Sequence, residues 1–177
     1  EVILNLSASP YHLGKREVRR ELLGDLAKKS GLPVVYCNSV GGNDQLIFDG
    51  GSLVMSSEGV PLVEMAPFDE EIAVAELFTE SPSRSSVRPI RKSLHPDEEV
   101  FRALVLGVKD YIHKCGFETA CIGLSGGIDS ALTAAVAVEA IGADNVLGIT
   151  MPSPYSSQGS VDDSVSLAAN LGIRCDT

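Results

Sequence analysis

Basic charge is scarce in this sequence. Its 177 residues set 14 Lys and Arg against 24 Asp and Glu, a formal charge of −10. A general nucleic-acid binder needs a basic face to meet the phosphate backbone, so that class is disfavoured. A nucleotide substrate stays open, because one phosphate site needs only local donors. Cysteine is sparse as well. Cys37, Cys115, Cys121 and Cys175 form no CxxC pair and no His cluster accompanies them, which argues against a zinc site. Cys37 and Cys121 lie inside apolar runs, which predicts reduced, buried thiols and fits a reducing cytoplasm. No run approaches the roughly 20 apolar residues that span a bilayer, and no signal-peptide pattern or internal repeat is visible. Two phosphate-loop signatures are missing too. Without GxxxxGK[ST] the chain is no P-loop NTPase, and without GxGxxG it lacks the dehydrogenase dinucleotide fingerprint.

What is present supports packed cores. Hydrophobic residues make up 44% and charged residues 21%, enough for one ordinary domain or two incomplete ones. The chain opens without Met in a strand-like run, Val2-Ile3-Leu4-Asn5-Leu6, and closes just after another begins at Gly172. The expectation is a segment of a longer protein. Apolar residues Val18, Leu22, Leu23, Leu26 and Ala27 recur at helical spacing over 15–30, with Gly31 and Pro33 as stop signals. That pattern predicts a helix with one buried stripe and a charged outer face. Short strands follow at 33–38, 45–48, 52–56 and 60–64, punctuated by turns at 41–44, 49–51 and 58–59, and their close spacing predicts an antiparallel meander.

Residues 67–96 read as an interdomain connection, with the acidic cluster Asp69-Glu70-Glu71, a Ser/Pro stretch and then a basic one. Beyond it the period changes. Asp97 is a plausible N-cap, and 98–114 places Val100, Phe101, Leu104, Val105, Val108, Tyr111 and Ile112 on one helical stripe. A buried strand at 119–124, an Ala-rich helix at 129–141 closed by Gly142, a strand at 146–150, a helix at 160–171 and a last strand complete an αβαβαβ alternation. Such alternation predicts a doubly wound parallel sheet with right-handed crossovers.

Ligands of open parallel sheets bind where a strand's carboxyl end turns into the next helix. Here that turn, after Gly123-Leu124, is Ser125-Gly126-Gly127-Ile128-Asp129-Ser130. Two adjacent glycines let backbone N–H groups approach an anion, the helix dipole adds attraction, and Ser125 and Ser130 offer hydroxyls. Asp129 beside such a nest would repel a phosphate unless a cation lay between them, and Mg²⁺ takes one or two protein carboxylates together with phosphate oxygens. Alternatively, Asp129 caps the helix.

A strand–SGGxDS–helix unit resembles the ATP-pyrophosphatase (PP-loop) superfamily. The resemblance implies ATP cleavage between the α and β phosphates, with Gly123, Leu124, Ser125, Gly126, Gly127, Ile128, Asp129 and Ser130 binding ATP and Asp129 holding Mg²⁺. The runs Phe101–Tyr111 and Val146–Ser157 are similar to the helix before this loop, and to the second strand and flexible loop, of bacterial NAD synthetases. The runs Asn5–Lys15, Val40–Asp44 and Phe48–Ser52 resemble the nitrilase-like domain of the glutamine-dependent NAD synthetases. The fold implied is α/β: the C-terminal part of a nitrilase-like αββα domain at 1–66, the connection at 67–96, and the start of an adenine nucleotide alpha hydrolase-like PP-loop domain at 97–177.

The family implies that ammonia released from L-glutamine amidates adenylated deamido-NAD, giving NAD, AMP and pyrophosphate. It also implies a cytoplasmic homo-oligomer without nucleic-acid or membrane partners. Its glutamine-binding pair maps onto Ser9 and Lys15, although a solvated charge at a helix start describes Lys15 equally well. Its Glu–Lys–Cys triad would lie upstream of Glu1, so no catalytic residue is expected here and Cys37 is not the nucleophile. The deamido-NAD contacts and a second metal ligand would lie beyond Thr177. Two rival readings are another PP-loop enzyme, such as a tRNA-modifying one, which would bring basic patches and paired cysteines, and a non-catalytic fragment.

Overall fold

The computed structural model describes residues 1–77, 94–155 and 157–177. They divide into two compact units, one of 1–41 and 45–103 and the other of 42–44 and 104–177. Of the expected connection, 67–77 carries no helix or named strand, and 78–93 lies outside the described residues. No helix of the described residues is long and apolar enough to cross a membrane.

The first unit is built on a four-stranded sheet of order β1-β2-β5-β6. Its strands are β1 (Ile3–Ser7), β2 (Val34–Asn38), β5 (Leu53–Met55) and β6 (Pro61–Glu64). β1 and β2 run parallel, joined by helix α1 (Lys15–Ser30), whereas β2–β5 and β5–β6 are antiparallel. Strands β3 (Val40–Asn43) and β4 (Leu46–Asp49) leave this sheet and form a two-stranded one. The expected meander is therefore interrupted, and the turn expected at 41–44 lies later. Gly41 and Gly42 are inside β3, and the chain reverses at Asp44-Gln45, where Asp44 takes φ 51°. Asp tolerates the left-handed region and bonds its own backbone in turns.

One face of the sheet is closed by α1. Leu23, Ala27, Val34, Tyr36, Leu53 and Met55 form its core, with Ile3 against them. Burying apolar surface of this kind is the main favourable term in folding. The helix bounds agree with expectation, and Gly31 closes the helix in the left-handed conformation. The expected stripe does not. Val18, Leu22 and Leu26 are exposed, whereas Arg16 and Arg19 are buried beside Leu23, Gly24 and Ala27. Positions 16, 19, 23 and 27 share a helical face, and its first half meets carboxylates rather than hydrocarbon. Arg16 pairs with Glu64 at 2.9 Å and Arg19 with Asp49 at 2.7 Å. Burial of a guanidinium is tolerable only with such a partner.

Cys37 is exposed as well, against the sequence reading. Side chains alternate along a strand, so with Val34, Tyr36 and Asn38 turned inward Cys37 faces the sheet side away from α1.

The second unit carries a parallel sheet of order β7-β8-β9, formed by β7 (Ala120–Gly123), β8 (Val146–Ile149) and β9 (Arg174–Asp176). Helix α3 (Ile128–Ile141) links the first two and α4 (Gln158–Leu171) the last two, with a short 3₁₀ turn at Ala143–Asn145 before β8. Leu124, Ala134, Ala137, Val146, Ala168 and Ile173 form one core between these helices and the sheet. Both helices cover the same face, as right-handed crossovers between consecutive strands require. β7 is consequently half-exposed rather than buried, and Cys121 lies on its open side.

Helix α2 (Pro96–Lys114) precedes this sheet. Pro96 takes the first helical position, where its missing N–H costs nothing. Asp97 is thus not the N-cap. His95 fills that place, its Nδ1 accepting from the Asp97 N–H at 3.3 Å and its carbonyl from Glu99 N–H at 2.9 Å. Only Ala103 of α2 is buried, and Val100, Leu104 and Tyr111 of the expected stripe are exposed. The helix divides between the two units after Ala103, so its stripe is not laid on a single core.

Candidate functional site

In the second unit, β7 ends at Gly123 and α3 begins at Ile128, which leaves Leu124 to Gly127 to make the turn. Leu124 donates its N–H to Ile149 O at 2.8 Å and sends its side chain into the core, 5% exposed. Of the eight residues expected to meet ATP, Leu124 can therefore offer only backbone. The chain then reverses at Gly126 with φ +77°. A Cβ there would stand 2.4 Å from Ser160 O and 2.7 Å from Ser160 Cα. Gly126 thus allows both the left-handed turn and the close approach of the first turn of α4. Gly127 is different. It is the N-cap of α3 with φ −92° and ψ 161°, an ordinary extended geometry, and a Cβ would meet only Ser125 Oγ at 3.4 Å.

The hydroxyls of Ser125 and Ser130 lie 3.1 Å apart. Ser130 Oγ donates to Gly127 O at 2.9 Å and accepts from Ser125 N–H at 3.3 Å, while Ser125 Oγ accepts from Gly127 N–H at 3.3 Å. The turn is held by its own side chains, so a phosphate would exchange these long bonds for charge-assisted ones, which are shorter and roughly twice as strong. Asp129 sits in the first turn of α3, exposed, two residues past the N-cap. It is not the capping residue. Its backbone carbonyl accepts from Thr133 Oγ1 at 2.8 Å, and no described ion pair engages its carboxylate. Among the described residues no group of three or more His, Cys, Asp or Glu could hold a metal. One exposed carboxylate still suits Mg²⁺ if a phosphate occupies the turn, since Mg²⁺ takes most of its ligands from phosphate and water.

Beside the turn opens a cleft of about 160 Å³, lined by Ser125, Thr150, Met151, Pro152, Ser160 and Ser164 among others. Ligand pockets for larger molecules run from about 300 Å³ upward. The cleft can take a phosphate group, and the rest of a nucleotide would lie over open surface. Met151 at 77% exposure and Tyr155 at 97% offer apolar area there.

In the first unit, Ser9 and Lys15 flank the loop between β1 and α1. Lys15 is the first residue of α1, partly buried, and its Nζ donates to Pro10 O at 2.6 Å. The Lys15 ammonium is thus engaged by the backbone of its own loop. Ser9 N–H donates to Asn38 Oδ1 at 2.8 Å, and Arg19 Nη2 donates to Ser9 O at 2.9 Å and to Ser9 Oγ at 3.3 Å. Asn38, Arg19 and Asp49 were not expected at a site. Each is polar where the pattern showed only a strand end, a helix surface or a turn.

Nearby titrations are shifted. Burial, then the carboxylates of Glu99 and Asp49, pushes the Tyr11 hydroxyl up to about 12. Glu99 is itself raised above the usual carboxylate range, first by burial and then by Glu17.

Residues 100–177 match the NAD synthase family model. The chain is 49% identical over 176 residues to the glutamine-dependent NAD(+) synthetase of Synechocystis, covering 99% of this chain and 32% of that protein. It is 42% identical over 178 residues to that of Rhodobacter capsulatus, covering 100% and 32%. The glutamine-dependent NAD(+) synthetase of Acinetobacter baumannii, solved in complex with adenosine diphosphate, superimposes with a TM-score of 0.89 at 39% identity, over 98% of this chain and 33% of that one. The Cytophaga hutchinsonii enzyme shares the fold at a TM-score of 0.78 and 20% identity. The chain spans about a third of the length of the curated relatives it matches. By sequence and by fold along nearly its whole length, the chain belongs to the glutamine-dependent NAD(+) synthetase family.

Proposed function

We propose that the protein carrying this chain adenylates deamido-NAD with ATP and amidates it with ammonia drawn from L-glutamine, yielding NAD, AMP and pyrophosphate. The observation that carries this reading is the strand–turn–helix unit at Ser125–Ser130, within a chain 49% identical to a glutamine-dependent NAD(+) synthetase. On this reading the backbone N–H groups of the turn and the hydroxyls of Ser125 and Ser130 hold the ATP phosphates. Catalysis then consists mainly of positioning and charge stabilisation. Asp129 would hold Mg²⁺, which when bound would neutralise the charge that otherwise sets this carboxylate against the phosphates. Ser9 and Lys15 contact glutamine. Cys37, on a sheet face of β2, has no catalytic role, and the thiolate nucleophile with its Glu and Lys partners belongs to sequence outside this chain. Residues 1–66 belong to the glutamine-hydrolysing domain, 67–96 connect, and 97–177 belong to the synthetase domain. The assembled enzyme is a cytoplasmic homo-oligomer.

Product analysis on the full-length protein tests the reading. With ATP, deamido-NAD and glutamine, AMP and pyrophosphate are expected in equal amounts with NAD. Release of ADP and inorganic phosphate would remove the adenylation step.

A further inference from the structure

Three buried side chains hold the Ser9 loop from beneath, and the proposed reaction does not use them directly. They are Arg19 on α1, Asn38 at the end of β2 and Asp49 at the end of β4, exposed by 7%, 6% and 2%. Asn38 takes the Ser9 N–H on its Oδ1 at 2.8 Å and donates from Nδ2 to Gly50 O at 3.1 Å. Arg19 spreads its fork. Nη1 donates to Asp49 Oδ2 at 2.7 Å, and Nη2 donates to Ser9 O at 2.9 Å and to Ser9 Oγ at 3.3 Å.

The chemistry of this fork is directional. A guanidinium donates and never accepts. With Arg19 donating to Ser9 Oγ at 3.3 Å, the hydroxyl proton does not point back at Arg19 and is left to donate in another direction. Asp49 neutralises the buried cation that does this, and the planar fork lets one side chain serve Asp49 and Ser9 together.

We propose, on the reading that Ser9 contacts glutamine, that Arg19 is a positioning residue for that substrate. It fixes the Ser9 hydroxyl as a donor to an oxygen of bound glutamine, and Asn38 fixes the backbone that carries it. The same arm also donates to the loop carbonyls Ser9 O at 2.9 Å and Pro10 O at 3.4 Å, so one side chain holds the loop backbone and the Ser9 hydroxyl together.

The test uses the full-length enzyme, with the KM for glutamine as readout and the glutamine-supported rate normalised to the ammonia-supported rate. Arg19→Lys keeps a charge for Asp49 but has no second arm. To separate this from any disturbance of the buried pair, the double variant Arg19→Met/Asp49→Leu removes both charges together, a replacement that is often neutral for stability. Both variants are expected to raise the KM for glutamine about ten- to hundredfold, the range for losing one bond that involves a charged group. In Ser9→Ala, adding Arg19→Lys is expected to change KM by less than about twofold, since both substitutions remove the same donor. If Ser9→Ala raises KM while both Arg19 variants keep wild-type KM, Arg19 has no positioning role and the glutamine reading stands. Independent, multiplying effects of Ser9→Ala and Arg19→Lys would also overturn the proposal. If Ser9→Ala itself leaves KM unchanged, Ser9 is not a glutamine contact, and that reading falls together with the inference.

Discussion

Replacing each of the two adjacent glycines by alanine separates two reasons for their presence. At Gly126 the φ of +77° puts an L-residue in the left-handed region, at about 1–2 kcal/mol. The new methyl would also stand 2.4 Å from Ser160 O, 2.7 Å from its Cα and 2.9 Å from its C. These are backbone atoms, so the first turn of α4 or the turn itself must shift, an overpacking cost of about 1–3 kcal/mol. Together the two effects destabilise the turn by about 2–5 kcal/mol. At Gly127 neither effect operates. Its φ is −92° and the nearest atom to a new Cβ is Ser125 Oγ at 3.4 Å. The remaining cost is a less suitable N-cap, a few tenths of a kcal/mol to about 1 kcal/mol.

Hydrogen exchange across 124–131 and calorimetric ATP titration of the full-length protein read these effects. Gly126→Ala should accelerate exchange in the turn and weaken ATP by at least about tenfold, since 1.4 kcal/mol already makes a decade. Gly127→Ala should leave exchange near wild type and weaken ATP by a similar factor, because its methyl occupies the approach to the nest. Wild-type exchange in Gly126→Ala would refute the close packing on Ser160. Wild-type ATP affinity in Gly127→Ala would refute a phosphate over that backbone.

Asp129→Asn should abolish glutamine- and ammonia-supported NAD formation while glutamine hydrolysis remains detectable, and unchanged NAD formation would remove Asp129 from the metal role. Glu99→Gln should raise the melting temperature at pH 7.5 but not at pH 4. A carboxyl whose folded pKa lies above its ordinary 4.5 binds its proton more tightly in the folded state, so the wild type loses stability as pH rises through that interval. A gain of equal size at both pH values would contradict this sign.

The fold and the position of the turn at 125–130 were legible for a common reason: local backbone chemistry wrote both. Gly31 and Gly142 close their helices where a left-handed or non-helical residue is needed, and Gly126-Gly127 marks the strand-to-helix turn that packs against Ser160. What escaped depends on which faces tertiary packing covers. Val18, Leu22 and Leu26 have the spacing of a core stripe, yet the buried face runs through Arg16 and Arg19, because Glu64 and Asp49 lie beneath it from 30 or more residues away. Apolar neighbours misplaced Cys37 and Cys121 for a similar reason. Alternation along a strand decides which side a residue takes, and composition does not say which side a helix will cover. Asn38 gave no signal, since its role lies in bonds to Ser9 and Gly50 rather than in any motif.

Crystallising the full-length protein with magnesium and α,β-methylene ATP, which cannot be cleaved at the bond in question, locates the triphosphate directly. Phosphate oxygens are expected within hydrogen-bonding distance of the Ser125 and Ser130 hydroxyls and of backbone N–H groups at the start of α3. A triphosphate docked elsewhere, with the Ser125–Ser130 turn empty and its internal bonds intact, would contradict the account.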